Sequence, residues 1–263
     1  MLLTFYITLV VAGGGLALWA AGAPDPTLGV LPLFFWLLAN LLGEVLWLPA
    51  PRGRGYLSMA NAANFATLLL LAPWDAVLVT AIAGLLADFL FRRREWYRAL
   101  FNFGMCAVTV FIASTVFSKM GGHSGTVDAL LSPLNALPLL ASGTTYFLAN
   151  TLLVAGVIGL YRRLPVMKVW RESFAFSYEL VGAVVLQLLG YLFAILFLTW
   201  GYMSAFLAVI ATYFIRDAYF RYVSDMEAAR AASEAAQAAG RATTPVTPES
   251  GTAPVQADPR NAT

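Results

Sequence analysis

The stretch PWDAVLVTAIAGLLADFLFRRREWYRALFNFG, residues 73–104, decides the fold. An apolar run stops at three arginines, two aromatic residues follow, and a second apolar run begins with Asn102 just inside it. A helix needs about twenty residues to cross the ~30 Å hydrocarbon core of a bilayer. The pattern therefore predicts two spans joined by a cytoplasmic turn. Arg92, Arg93, Arg94 and Arg98 mark the turn, and Trp96 and Tyr97 seat the second span in the interface.

The rest of the chain repeats this grammar. Of its residues, 60% are hydrophobic and 11% charged, far from the balance of a soluble domain. Apolar runs fall at about 3–21, 29–48, 58–72, 75–91, 99–118, 133–160, 177–199 and 203–217. The third is short, opens with Ser58, Asn61 and Asn64, and turns at Pro73 and Trp74. It crosses either tilted or only in part, so the count is eight spans within a range of six to eight. Charge favours eight. With both termini inside, every lysine and arginine except Lys119 falls on the cytoplasmic side. Trp47, Trp74, Trp96, Trp170 and Trp200 all lie near proposed helix ends. The expected fold is thus all-α, a polytopic α-helical membrane bundle with cytoplasmic termini.

Three domains are expected: a transmembrane helical domain over 1–221, a cytoplasmic helical extension over 222–240 and a disordered tail over 241–263. The extension has an apolar stripe made mostly of alanine, and the tail is rich in Pro, Thr, Ser, Ala and Gly. At the other end, Ala21-Gly22-Ala23 mimics a signal-peptide cleavage site. No positive charge precedes the apolar core and Pro24 comes directly after, so residues 1–23 read as a retained first helix. Residues 165–176, PVMKVWRESFAF, put Val166, Val169, Trp170 and Phe174 on one helical side and Lys168, Arg171 and Glu172 on the other. That suits a short helix lying on the inner surface. An arginine turn followed by tryptophan occurs twice, as RRREWYR and RRLPVMKVW, and hints at an internal repeat.

Soluble catalytic chemistry is absent from the pattern. The single histidine, His123, sits in a loop, and the single cysteine, Cys106, lies in an apolar run. No phosphate loop, paired-cysteine metal pattern or nucleophile elbow is present. A net charge of +2 implies no nucleic-acid partner. No catalytic residue, metal ligand or cofactor is assigned, and the chain is read as a non-enzyme. The bilayer is its first partner.

Polar residues inside the spans are informative because burying them in lipid is costly. Asn40 and Glu44 share one helical face, as do Asn61 and Asn64. Asp88, Asn102, Asn150, Glu179 and Gln187 lie in later spans. Asp88 precedes Arg92 by four residues and is expected to pair with it and snorkel. Single asparagines are expected to act as packing glue worth about 1 kcal/mol each. Glu44 is different, because its own helix offers no cation four residues on; Arg52 or Arg54 in the following loop is within reach of it. Asn40, Glu44, Asn61 and Asn64 outline a polar pocket between spans two and three. With Asn102 and Asn150 they form the candidate ligand-binding set. Ala83, Ala87 and Gly156 would permit close helix contacts.

The runs RGYLSMANAANFATLLLLAPWDAVLVTAIAGLLADFL and RRREWYRALFNFG, with TTYFLANTLLVAGVIGLYRRLPVMKVW, resemble the multi-span N-terminal membrane region of bacterial HD-GYP and GGDEF signalling proteins. The likeness covers roughly residues 29–220. It implies a sensory or regulatory membrane domain in the bacterial inner membrane that passes a signal through its last helix. After Asp225 the chain departs from that family, with an alanine-rich helix in place of an output domain, so signalling enzyme activity is not implied. The architecture also loosely resembles membrane subunits of vitamin uptake systems. Two functions compete. One is a sensor-like module that binds a small molecule and acts through a cytoplasmic signalling partner in trans. The other is a small-solute transporter, or the substrate-binding subunit of one, that works with an energising partner. A structural role, with the asparagines as glue, is the third reading.

Overall fold

The computed structural model describes residues 1–49, 56–174 and 177–242. The expected tail beyond residue 242 and the partners Arg52 and Arg54 proposed for Glu44 lie outside the described residues, as does the Glu179 side chain. Contacts divide the chain into Met1–Phe220 and Arg221–Thr263.

The first unit is a helical bundle. Its helices are α1 (Leu2–Ala20), α2 (Val30–Val45), α3 (Ala60–Leu70), α4 (Pro73–Leu86), α5 (Trp96–Lys119), α6 (Val127–Leu131), α7 (Ala136–Arg162), α8 (Val166–Ser173) and α9 (Ser177–Trp200). The long helix α10 (Ser204–Ala242) begins in this unit and continues through the described part of the second. In that second part Arg230 pairs with Glu234 one turn on, at 2.9 Å.

Among the described residues, five segments are long and apolar enough to cross a membrane: Leu2–Ala20, Pro73–Phe91, Trp96–Lys119, Pro133–Arg162 and Leu180–Leu207. The runs at 29–48 and 58–72 form shorter helices. At ~1.5 Å per residue, α2 with 16 residues reaches roughly 24 Å and α3 with 11 roughly 16 Å. A small antiparallel hairpin joins them. Strand β1 (Trp47–Pro49) pairs with β2 (Tyr56–Ser58), Trp47 opposite Ser58. Each strand adds roughly 10 Å of chain. A two-stranded hairpin has open edges that lipid cannot satisfy, which fits an interface rather than the hydrocarbon core.

The short helix α3 is the centre of the bundle. From Ala60 to Leu69 every residue but Asn61 is buried. A helix buried on nearly every side belongs inside a fold, and α3 packs against α2, α4 and α9. Small residues bring its neighbours close. A Cβ on Gly43 would lie 2.7 Å from the Ala60 backbone, and one on Gly190 would strike the carbonyl of Ala62. On the far side, Gly14 of α1 meets Gly104 of α5, where an added Cβ would come within 2.6 Å of backbone. Ala83 and Ala87 are buried, and Gly156 packs against the Tyr6 ring. The small residues expected to permit helix contacts thus make them within this chain. Trp36 is fully buried among Phe35, Phe193 and Phe197, with ring centroids 5.0–5.2 Å away. Trp96 and Trp200 remain exposed.

Both arginine turns end a helix in the same way. Arg93 and Arg163 have φ of 48° and 56°, the left-handed conformation that closes helix C-termini. The two turns differ in the helix they lead into: the 24-residue α5 after the first, the 8-residue α8 after the second. Val169 of α8 is buried, Trp170 and Phe174 are half-buried, and Lys168, Arg171 and Glu172 are exposed. Val166 stands in the open, unlike the apolar side expected for it.

Candidate functional site

Two polar clusters lie in the bundle, and they are built differently. The first joins α2 to the end of α4. There the helix widens into a π-helical turn, Ala87–Phe91, with Arg92 N–H bonded to the Ala87 carbonyl at 3.1 Å. Such bulges often mark functional sites. This one carries Asp88. Arg92 donates to Asp88 Oδ1 at 2.9 Å, to Glu44 Oε2 at 2.7 Å and to the Glu44 carbonyl at 2.8 Å. The last bond satisfies one of the carbonyls left open at the end of α2. Arg94 lies 3.5 Å from Asp88 Oδ1, and Ser58 donates to Glu44 Oε2 at 3.3 Å.

Two expectations change here. Asp88 pairs with Arg92 but does not snorkel, because the π turn leaves its side chain with no exposed surface. Glu44 finds its cation on a different helix, 48 residues along the chain.

The second cluster surrounds a cavity of about 200 Å³. It lies among α3, α5, α7 and α9, with Glu44 and Ser58 at its edge. Asn61 and Asn64 enter from α3, Cys106 and Thr109 from α5, Tyr146, Asn150 and Thr151 from α7, and Gln187 from α9. Tyr146 ties two of these together. Asn64 donates to its hydroxyl at 2.9 Å, and the hydroxyl donates to Asn61 Oδ1 at 3.3 Å. Gln187 donates to the Gly143 carbonyl at 2.7 Å. Thr151 accepts from the indole N–H of Trp170 at 2.9 Å, which connects the cavity wall to α8.

Other groups are unused. Among the described residues the Thr109 hydroxyl is buried without a partner; Asn150 and Asn61 are half-buried, the Asn150 amide making no hydrogen bond and Asn61 using only its oxygen. Buried polar groups are normally paired, and each exception calls for an explanation.

Of the six candidate residues, Glu44, Asn61, Asn64 and Asn150 line this cavity. Asn40 and Asn102 do not. Asn40 donates to the Trp36 carbonyl at 2.7 Å and to Thr67 at 2.8 Å, joining α2 to α3. Asn102 donates to the Gly84 carbonyl at 3.3 Å, joining α5 to α4. The cavity is therefore not between α2 and α3, where the shared faces had placed it. Sequence reasoning did not connect Thr109, Tyr146, Thr151, Cys106 or Gln187 to it. One signal was available: Tyr146 and Asn150 are four apart and Cys106 and Thr109 three apart, so each pair shares a helical face. A larger cleft of about 530 Å³, between α2, α9 and the start of α10, is lined by apolar side chains and offers no group to orient a polar ligand.

No curated protein and no solved structure matches the chain. The family model MASE9 matches residues 60–223, from the start of α3 into α10, and so includes every cavity-lining residue except Glu44 and Ser58. With well over half of its length matched, the chain belongs to the MASE9 family of membrane-associated sensor modules.

Proposed function

We propose that this chain is a non-catalytic, multi-pass sensor module of the bacterial inner membrane whose cavity binds a small polar molecule. On this reading both termini are cytoplasmic, and eight apolar helices cross or enter the bilayer. The five long spans, the shorter α2 and α3 and the first part of α10 supply the eight. The arginine turns after α4 and α7 supply the cytoplasmic charge.

One observation carries the proposal: neutral hydrogen-bonding groups, several without partners, converge on one cavity within a sensor-family match. Glu44 is already held by Arg92, which leaves the cavity amides and hydroxyls as the recognition groups. The reading as a non-enzyme rests on that chemistry. Occupancy is passed on through α7 and α9. The Thr151–Trp170 bond carries it to α8, and α10 presents it to a cytoplasmic partner.

The test is a thermal-unfolding screen of the full chain in nanodiscs against a panel of polar metabolites. At least one class should stabilise the wild type; Asn150→Leu should abolish that shift without lowering the ligand-free melting temperature, and Asn61→Leu should abolish it while lowering that temperature only by the lost Tyr146 bond. Removal of residues 222–263 should leave the shift intact and abolish capture of the partner. A shift that survives both asparagine substitutions would sink the cavity as the ligand site.

A further inference from the structure

Helices α7 and α9 flank the cavity but barely pack on one another, and the space between them is a groove of about 440 Å³. Its walls are apolar, with Leu139, Leu140, Val184 and Leu188 among them, and it shares Phe147, Ala183 and Gln187 with the polar cavity. We infer that cavity and groove form one site for a single-chain amphiphile with an uncharged, hydrogen-bonding head: the head lies in the cavity and the chain between α7 and α9. This inference rests on the cavity being the sensor's ligand site and names the class of ligand.

Three observations carry it. The two spaces adjoin, with Phe147, Ala183 and Gln187 as their common wall, so a polar end and an apolar end would each meet their own surroundings in one molecule that passes Gln187. The spare groups at Thr109, Asn61 and Asn150 are neutral, and among the described residues no lysine, arginine or histidine lines the cavity to hold an ionised acid. Leu140, Val184 and Leu188 are exposed on the outer side of the groove, so a chain enters sideways from the bilayer. Along α7 the groove runs from Ala136 to Phe147, roughly 16 Å at the helical rise, the reach of a medium-length acyl chain.

The test uses the full chain in phosphatidylcholine nanodiscs with three probes: monododecanoylglycerol, dodecanoate and glycerol. Retained adducts are counted by native mass spectrometry. Labelling of Cys106 by N-ethylmaleimide reports the cavity, because it is the single cysteine of the chain and lines the wall. Monododecanoylglycerol should give one adduct and slow labelling at least tenfold, while dodecanoate and glycerol at equal concentration do neither. Val184→Trp, at a lipid-facing position, should block the chain and remove the adduct at unchanged melting temperature. Asn61→Leu with Asn150→Leu should remove it through the head.

Adducts that persist in both sets of variants are annular lipid and overturn the inference. Protection by glycerol alone overturns it while leaving the cavity as a ligand site. No adduct and no protection by any probe also overturns it, and the metabolite screen then judges the cavity separately. If Cys106 resists the reagent in the empty protein, the adduct count decides alone.

Discussion

Around α2 and the π turn, each buried charge has a partner; in the cavity wall, the Thr109 hydroxyl and the Asn150 amide do not. Arg92 alone serves two carboxylates and a carbonyl, whereas Asn150 and Thr109 serve nothing among the described residues. The difference comes from cost. An unpaired charge in a low-dielectric interior is penalised so heavily that it must be neutralised within the fold. An unpaired amide or hydroxyl costs a few kcal/mol at most, so it can wait for a ligand. The first region is held together by its own charges, and the second is the one proposed to take a ligand.

The sharpest way to break this contrast is Arg92→Ala. It strands Glu44, which is 8% exposed, and leaves the fully buried Asp88 only Arg94 at 3.5 Å; it should cost about 3–5 kcal/mol, the usual penalty for opening a buried pair. Unfolding in nanodiscs measures it, and the neutral triple variant Glu44→Gln, Asp88→Asn, Arg92→Met should recover most of the loss. A cost under about 1 kcal/mol for Arg92→Ala would mean the ion cluster is not a lock.

Next in size is Tyr146→Phe. It removes the hydroxyl that joins Asn61 to Asn64 and should cost about 1–2 kcal/mol, while freeing two more amide groups into the cavity. Asn40→Leu tests the glue reading on the packed side. Loss of its bonds to Trp36 and Thr67 should cost about 1 kcal/mol and leave ligand-induced stabilisation untouched.

The smallest stability effect belongs to Asn150→Leu. With no bond to lose, it should stay within about 0.5 kcal/mol of wild type, yet it should abolish the ligand shift. A destabilisation above about 1.5 kcal/mol would place Asn150 with Asn40 as packing glue and erase the contrast.

Much of the fold was legible. The apolar runs at 3–21, 75–91, 99–118, 133–160 and 177–199 correspond closely to α1, α4 with its π turn, α5, α7 and α9, because length and hydropathy alone limit what crosses a bilayer. The arginine turns were legible for the same reason. The hairpin before α3 was not, since three-residue strands leave too little pattern to separate from the end of an apolar run. The burial of α3 was equally hidden: a short apolar helix reads as a weak span whether it faces lipid or neighbours.

Four of the six candidate residues line the cavity, while Asn40 and Asn102 tie helices together elsewhere. Asn61, Asn64, Asn150 and Glu44 were chosen because polar groups are expensive in lipid, and that argument needs no structure. Helical spacing could join Asn40 to Glu44 on one face, yet the two side chains meet different neighbours, Thr67 for one and Arg92 for the other.

The sequence by itself determined a helical membrane chain, its apolar segments and the short set of polar residues whose burial needs a reason. Only the tertiary structure decided which of them are already satisfied. Partners such as Glu44 and Arg92, or Asn64 and Tyr146, lie 48 and 82 residues apart. Periodicity along one helix carries no information about which second helix will face it; packing does, through small residues such as Gly43 and Gly190 that bring backbones together.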